Sequence, residues 1–119
     1  MAWLRFRDDL DINAIEKVYL SSPLTLAAWR AEAGNENYTQ IIRLILSRND
    51  VDINYQEATG ETALYLAVVN ANEEVVELLL GYPGIDLKIV DNQGLTAYKI
   101  ASQKNMKGIL DLIKEHNNQ

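Results

Sequence analysis

The chain repeats itself. Gly60-Glu61-Thr62-Ala63-Leu64-Tyr65-Leu66-Ala67 returns 34 residues later as Gly94-Leu95-Thr96-Ala97-Tyr98-Lys99-Ile100-Ala101. The same offset carries Val75-Val76-Glu77-Leu78-Leu79 onto Ile109-Leu110-Asp111-Leu112-Ile113. An earlier copy reads Ser22-Pro23-Leu24-Thr25-Leu26-Ala27-Ala28, then Ile41-Ile42-Arg43-Leu44-Ile45-Leu46. Between its two blocks lie 12 residues, Trp29 to Gln40, where the next copy has 6, Val69 to Glu74, so the first copy holds a six-residue insertion. A third landmark precedes each unit: Asp9-Leu10-Asp11-Ile12-Asn13, Asp50-Val51-Asp52-Ile53-Asn54 and Gly84-Ile85-Asp86-Leu87-Lys88. Three landmarks recurring in one order describe units stacked in a line, each too small to hide its apolar face alone.

The content of one unit reads as two helices and a turn. Thr62, Thr96 and Ser22 stand where a hydroxyl can accept from an orphaned N–H of a first helical turn. Pro23 occupies the favoured first helical position. Leu64, Ala67 and Val68, then Val75, Leu78 and Leu79, follow helical spacing. The small Ala27, Ala28, Ala67 and Ala101 allow neighbouring helices to approach closely. Gly60 and Gly94 suit a turn with positive φ. Asp-Ile-Asn and its relatives are expected to be extended residues leading into that turn. Gly81-Tyr82-Pro83-Gly84 reads as a helix stop.

These residues resemble the ankyrin family, whose units run approximately D-x-x-G-x-T-P-L-H-x-A-A, six variable residues, I-V-x-L-L-L, then G-A-D-V-N. The likeness is strongest from Glu57 to Lys88, good from Asp91 to Ile113 and partial from Ser21 to Asn54. Ala63 and Ala97 replace the family's proline, Tyr65 and Lys99 its histidine, and Ala71 and Asn105 its inter-helix glycine. The resemblance implies an all-α solenoid of about three helix-turn-helix units with short β-turn fingers and a partial N-terminal cap. It forms one domain: 1–20 a partial repeat or cap, 21–56 a repeat with the insertion, 57–90 a repeat, and 91–116 a terminal repeat. Trp3, Leu4 and Phe6 are expected to cap the stack. Ile15, Val18 and Tyr19 have helical spacing, and the first turn is expected to be tighter or more helical. At the other end Lys107, Asp111, Lys114 and Glu115 make the last helix polar, as a terminal unit requires, and His116 to Gln119 are expected to fray.

Composition excludes several functions. With no cysteine, the chain has neither disulfides nor a thiolate metal site. The formal charge of −6 divides evenly between residues 1–59 and 60–119, a surface that repels phosphate backbones and anionic headgroups. Lys99, Lys104, Lys107 and Lys114 form the one basic concentration, read as a solvated helix face. No apolar run approaches the length of a membrane span, and no signal-peptide pattern opens the chain. An intracellular, cytoplasmic protein is expected, monomeric on its own and without cofactor, small-molecule substrate, nucleic acid or membrane partner.

Chemistry is scarce. The one histidine, His116, has no positioned nucleophile beside it. Glu73, Glu74 and Glu77 fit a helix start and its dipole better than an acid/base pair. Gly81 to Gly84 lacks the Lys-Ser/Thr of a P-loop, and Asp50 to Asn54 lacks the spacing of a calcium loop. No enzyme is read.

In the resembling family, partners lie along the concave surface formed by turn tips and first helices. Carried over, the tips are Ala58, Thr59 and Glu61, then Asn92, Gln93 and Leu95. The first-helix positions are Trp29 and Arg30, Val69 and Asn70, and Gln103 and Lys104. Trp29 beside Arg30 has the composition of an interface hot spot; packing beneath the insertion or against Tyr38 is the competing reading. Tyr65, in the histidine's place, is expected to be structural. Ala31-Glu32-Ala33 is expected to lengthen the first helix, with Gly34-Asn35 ending it. The protein is thus read as a protein-binding adaptor or scaffold, with a second reading as a regulatory or targeting segment of a larger protein, such as an enzyme or a host-directed microbial effector. Leu46 and Asp52-Ile53-Asn54 also resemble the context in which ankyrin asparagines are hydroxylated, although a turn-stabilising role for Asn54 is the stronger reading.

Overall fold

A computed structural model describes residues 11–15, 21–32 and 36–117. The expected N-terminal cap (Trp3, Leu4, Phe6), Val18 and Tyr19 of the expected helical spacing, and Ala33 to Asn35 of the insertion lie outside them. The described residues form six helices and no strand: α1 Pro23–Arg30, α2 Glu36–Leu46, α3 Ala63–Val69, α4 Glu73–Leu80, α5 Ala97–Gln103 and α6 Lys107–Asn117. They pair as α1/α2, α3/α4 and α5/α6. The inner helices α1, α3 and α5 stand side by side, and α2, α4 and α6 form the outer row.

Each inner helix starts where the sequence places it. Thr62 and Thr96 accept from the N–H groups of Tyr65 and Lys99 at 3.2 and 3.1 Å. Ser22 accepts from Thr25 N–H while the Thr25 hydroxyl accepts from Ser22 N–H, a reciprocal cap on a helix led by Pro23. The apolar spacing then turns one face of each helix inward: Leu64, Ala67 and Val68 on α3, and Val75, Val76, Leu79 and Leu80 on α4, are buried, while Leu78 is only partly so. The nearly inaccessible Ala27, Ala28, Ala67 and Ala101 let the inner row pack closely. The terminal α6 buries only Ile109 and Ile113. Contrary to expectation, His116 and Asn117 remain helical.

The connections from α3 to α4 and from α5 to α6 are three residues long and identically bonded. Asn72 N–H donates to Ala67 O and Ala71 N–H to Val68 O; Met106 N–H and Asn105 N–H repeat this with Ala101 O and Ser102 O. This helix ending needs a left-handed residue, usually glycine, yet Ala71 and Asn105 hold it at φ 55° and 54°. Alanine has no polar side chain to offset the left-handed cost of about 1–2 kcal/mol. Ala71→Gly is therefore expected to stabilise the protein by about 1 kcal/mol after the added unfolded-state entropy, a rise of about 4–8 °C in Tm by calorimetry. Asn105→Gly should gain less, because asparagine tolerates this region.

Two sequence expectations are corrected. The Asp-Ile-Asn elements are tight turns, not extended lead-ins: Asp11 Oδ1 accepts from Asn13 N–H and Asp86 Oδ1 from Lys88 N–H, both at 2.9 Å, closing the chain locally. The insertion does not lengthen α1 through Ala31 and Glu32. α1 stops at Arg30, and Ala31 is fully buried with non-helical backbone, φ −86° and ψ 73°. The next repeat takes over the last carbonyls of α1. Asn70 Nδ2 donates to Ala28 O and Trp29 O at 2.9 and 2.8 Å, and Asn72 Nδ2 to Ala31 O at 3.0 Å. Half of the inserted length instead extends the outer helix, with Glu36, Asn37 and Tyr38 preceding the position where α4 begins.

Candidate partner-binding surface

The fingers project from the N-terminal ends of the inner helices, and a carboxylate folds each one. In the second, Glu57 Oε1 accepts from the N–H groups of Thr59 and Glu61, both at 2.9 Å, and from the Thr59 hydroxyl. In the third, Asp91 Oδ1 accepts from Gln93 and Leu95 N–H at 2.8 and 2.9 Å. Glu57 N–H to Glu61 O and Asp91 N–H to Leu95 O close the same loop, and Gly60 and Gly94 turn it at φ 82° and 79°. This leaves Ala58, Thr59, Asn92 and Gln93 exposed at the tips, with Glu61 and Leu95 half-buried behind them.

Asparagines tie one unit to the next. Asn13 Nδ2 donates to Asp50 O while its Oδ1 accepts from Asp52 N–H, at 2.9 and 2.8 Å. One unit on, Asn54 makes the same pair with Gly84 O and Asp86 N–H, both at 2.9 Å. Both ends of the Asn54 amide are therefore engaged in joining turns. Lys88 holds the third position, where the last described unit has no following turn to bind. Asn92 likewise serves the scaffold: its Nδ2 donates to Ala58 O at 3.1 Å and its N–H to Thr59 O.

The inner helices expose their C-terminal ends. Trp29 is 54% and Val69 39% exposed; Arg30, Gln103 and Lys104 are exposed, and Asn70 is half-buried by its bonds to α1. The Arg30 guanidinium lies 5.7 Å from the Trp29 ring centroid. A helical side chain leans toward its own N-terminus, which sends the indole toward the fingers. Trp29 accordingly borders two hollows. One, of about 260 Å³, is shared with Ser21, Glu57, Thr59, Glu61 and Leu66. The other, of about 500 Å³, is shared with Arg30, Glu32, Tyr38 and Asn70. Trp29 is thus exposed, with Tyr38 at the edge of the same hollow.

Residues 24–119 match the family described as "Ankyrin repeats (3 copies)". The chain belongs to the ankyrin-repeat family. It is 34% identical over 64 residues to Rabankyrin-5 of Mus musculus, covering 53% of this chain and 6% of that protein. It is 40% identical over 68 residues to Alpha-latrotoxin-Lh1a of Latrodectus hasselti, covering 57% and 5%. It is 31% identical over 74 residues to the I-Kappa-B like protein C2 of Microplitis demolitor bracovirus (isolate Webb), covering 61% and 41%. The chain thus spans a small part of these relatives' lengths.

Ankyrin repeats are a non-catalytic scaffold and generally act as protein–protein interaction modules. Among the described residues no cluster of His, Asp and Glu is arranged to hold a metal ion, and no helix is long and apolar enough to cross a membrane. The ankyrin histidine's task, bonding the next turn, falls to Tyr65, whose hydroxyl bonds the Asp91 carboxylate. Burial, then this bond, pushes the Tyr65 hydroxyl up from 10.0 to about 12. The Leu95 N–H first, with the Tyr65 hydroxyl and Gln93 N–H, holds the Asp91 carboxyl below its ordinary range.

The signs of these shifts give opposite pH windows. Asp91's contribution is present above its unfolded value of about 3.8 and is lost as pH falls through its lower folded value. Tyr65 keeps its proton in the folded state while the unfolded chain releases it, so its contribution is lost as pH rises from 10.0 to about 12. Tyr65→Phe is expected to be less stable than wild type by about 1–2 kcal/mol at neutral pH. Urea denaturation across the alkaline window should show that gap narrowing.

Proposed function

We propose that the chain is an adaptor or scaffold module that grips a protein partner along its concave face. In this reading Trp29, Arg30, Val69, Gln103 and Lys104 of the inner row make contact together with the finger residues Ala58, Thr59, Glu61, Gln93 and Leu95. Asn70 and Asn92 contribute mainly by holding that face in shape, since their amides bond the neighbouring unit. The supporting observation is Trp29. A folded chain gains by hiding an indole, yet this one stands more than half exposed with the Arg30 guanidinium over its ring. Rigid aromatic area next to arginine is the composition of interface hot spots, whose truncation costs at least about 2 kcal/mol of binding, or about thirtyfold in affinity. A pull-down read by tandem mass spectrometry, wild type against the Trp29→Ala/Gln103→Ala double variant, tests it. The specific partner is expected to disappear from the variant; retention of every specific partner places binding on another face.

A second reading, a regulatory or targeting segment of a larger protein, draws support from the relatives, in which the matching stretch is 6%, 5% and 41% of the whole. Mapping the native reading frame separates the two, because a frame of 119 codons counts against a segment.

A further inference from the structure

We propose that the hollow between the Trp29 indole and the second finger receives an arginine side chain from a basic segment of the protein partner. The inference rests on the concave-face reading and adds the chemistry of what is gripped. At about 260 Å³ the hollow falls just below the usual range of small-molecule sites, ~300–1,000 Å³, so a single side chain suits it better than a free ligand.

Its lining matches each part of an arginine. Leu66, buried at the floor, offers apolar surface to the methylene stem. The Trp29 indole offers a π-face, the aromatic surface that best attracts a guanidinium. Glu57 and Glu61 offer carboxylates to its planar fork of donors. The finger groups that bond the Glu57 carboxylate, the Thr59 and Glu61 N–H and the Thr59 hydroxyl, all use Oε1, so its second oxygen is not used in folding the turn.

The charge balance points the same way. Among the described residues no lysine or arginine lines this hollow; Arg30 lines the neighbouring one, also bordered by Trp29. Burial raises the Glu61 carboxyl, and the Glu57 and Asp91 carboxylates raise it further. Negative charge therefore gathers here with no cation among the described lining residues, and an incoming guanidinium relieves that repulsion. Arginine fits better than lysine because its guanidinium stacks, bonds bidentately and is less strongly hydrated than an ammonium. An acidic segment meets like charge at the fingers and is disfavoured.

Titration of the 119-residue chain with a fluorescein-labelled peptide of repeated Gly-Ser-Arg triplets tests the inference, read by anisotropy and by the Trp29 indole N–H resonance. The peptide is expected to bind with a saturable shift of that resonance. Trp29→Ala and Glu61→Gln should each weaken it about tenfold, as should raising salt from about 0.05 to about 0.5 M. Asp111→Asn, which removes an exposed carboxylate on the outer helix α6 far from the hollow, should leave affinity within about twofold. Thermal melts of the variants confirm that they fold. The inference is overturned if a Gly-Ser-Gln peptide binds equally well, if no peptide binds, or if binding ignores both Trp29→Ala and Glu61→Gln. Loss of a natural partner in the Trp29→Ala/Gln103→Ala variant, without arginine-dependent peptide binding, leaves the concave-face reading standing and removes only this inference.

Discussion

Gly60→Ala is expected to cost the stack about 3 kcal/mol, whereas Gly94→Ala, one repeat further on, costs about 1 kcal/mol. The two glycines occupy equivalent finger positions with nearly equal backbones, φ 82° and 79°. Conformational strain on an alanine is therefore the same at both, about 1–2 kcal/mol. Their surroundings differ. A Cβ on Gly60 would stand 2.6 Å from Asn92 Oδ1, 2.8 Å from Asn92 N and 3.1 Å from the Asp91 carbonyl carbon, whereas one on Gly94 meets nothing within 4 Å. Asn92 cannot yield cheaply, because its amide and N–H bond the carbonyls of Ala58 and Thr59. The second finger is covered by the third, and the third by no described residue. Chemical denaturation of both variants checks this; equal costs would mean that the fingers separate without penalty and that only backbone strain was measured.

That contrast shows what a repeat pattern conveys and what it hides. Gly60 and Gly94 and the hydroxyl caps at Ser22, Thr62 and Thr96 were legible because each depends on local backbone geometry that recurs with the period. The buried faces of α3 and α4 were legible for the same reason, since helical spacing is a one-dimensional signal. Contacts between units are another matter. Asn13 and Asn54 stand at the ends of segments read as extended, with a turn-stabilising role expected of Asn54. Both bond the backbone of the next turn, and the change to Lys88 where no described turn follows becomes meaningful only once that bond is seen. The insertion misled for a similar reason. Ala31-Glu32 has helical propensity, but tertiary bonds to Asn70 and Asn72 hold the end of α1, and propensity is the weaker influence. The exposure of Trp29 was undecidable from sequence, because it depends on where the insertion goes. The arrangement of Glu57 and Glu61 around it required the fold.

Asn72→Ala is expected to destabilise the protein by about 2–3 kcal/mol, and Asn72→Ser by about 1–2 kcal/mol. The side chain is buried and does two jobs. Its Oδ1 accepts from Val75 N–H at 3.2 Å, capping α4, and its Nδ2 donates to Ala31 O at 3.0 Å across the repeat boundary. Alanine removes both, forfeiting a cap worth about 1 kcal/mol and leaving a buried carbonyl unpaired at about 1–3 kcal/mol. Serine caps a helix about as well as asparagine but is too short to reach Ala31, so it loses the second bond alone. The two variants thus separate what holds a helix within its repeat from what holds the enlarged first repeat to the second. Hydrogen exchange provides the site-specific readout: Val75 N–H should lose protection in the alanine variant and retain it in the serine variant. If serine proves as stable as wild type, the Ala31 bond adds nothing and the first repeat is held by apolar packing alone. If serine matches alanine, the coupling between repeats outweighs the cap, and the stop of α1 at Arg30 depends on the repeat that follows it.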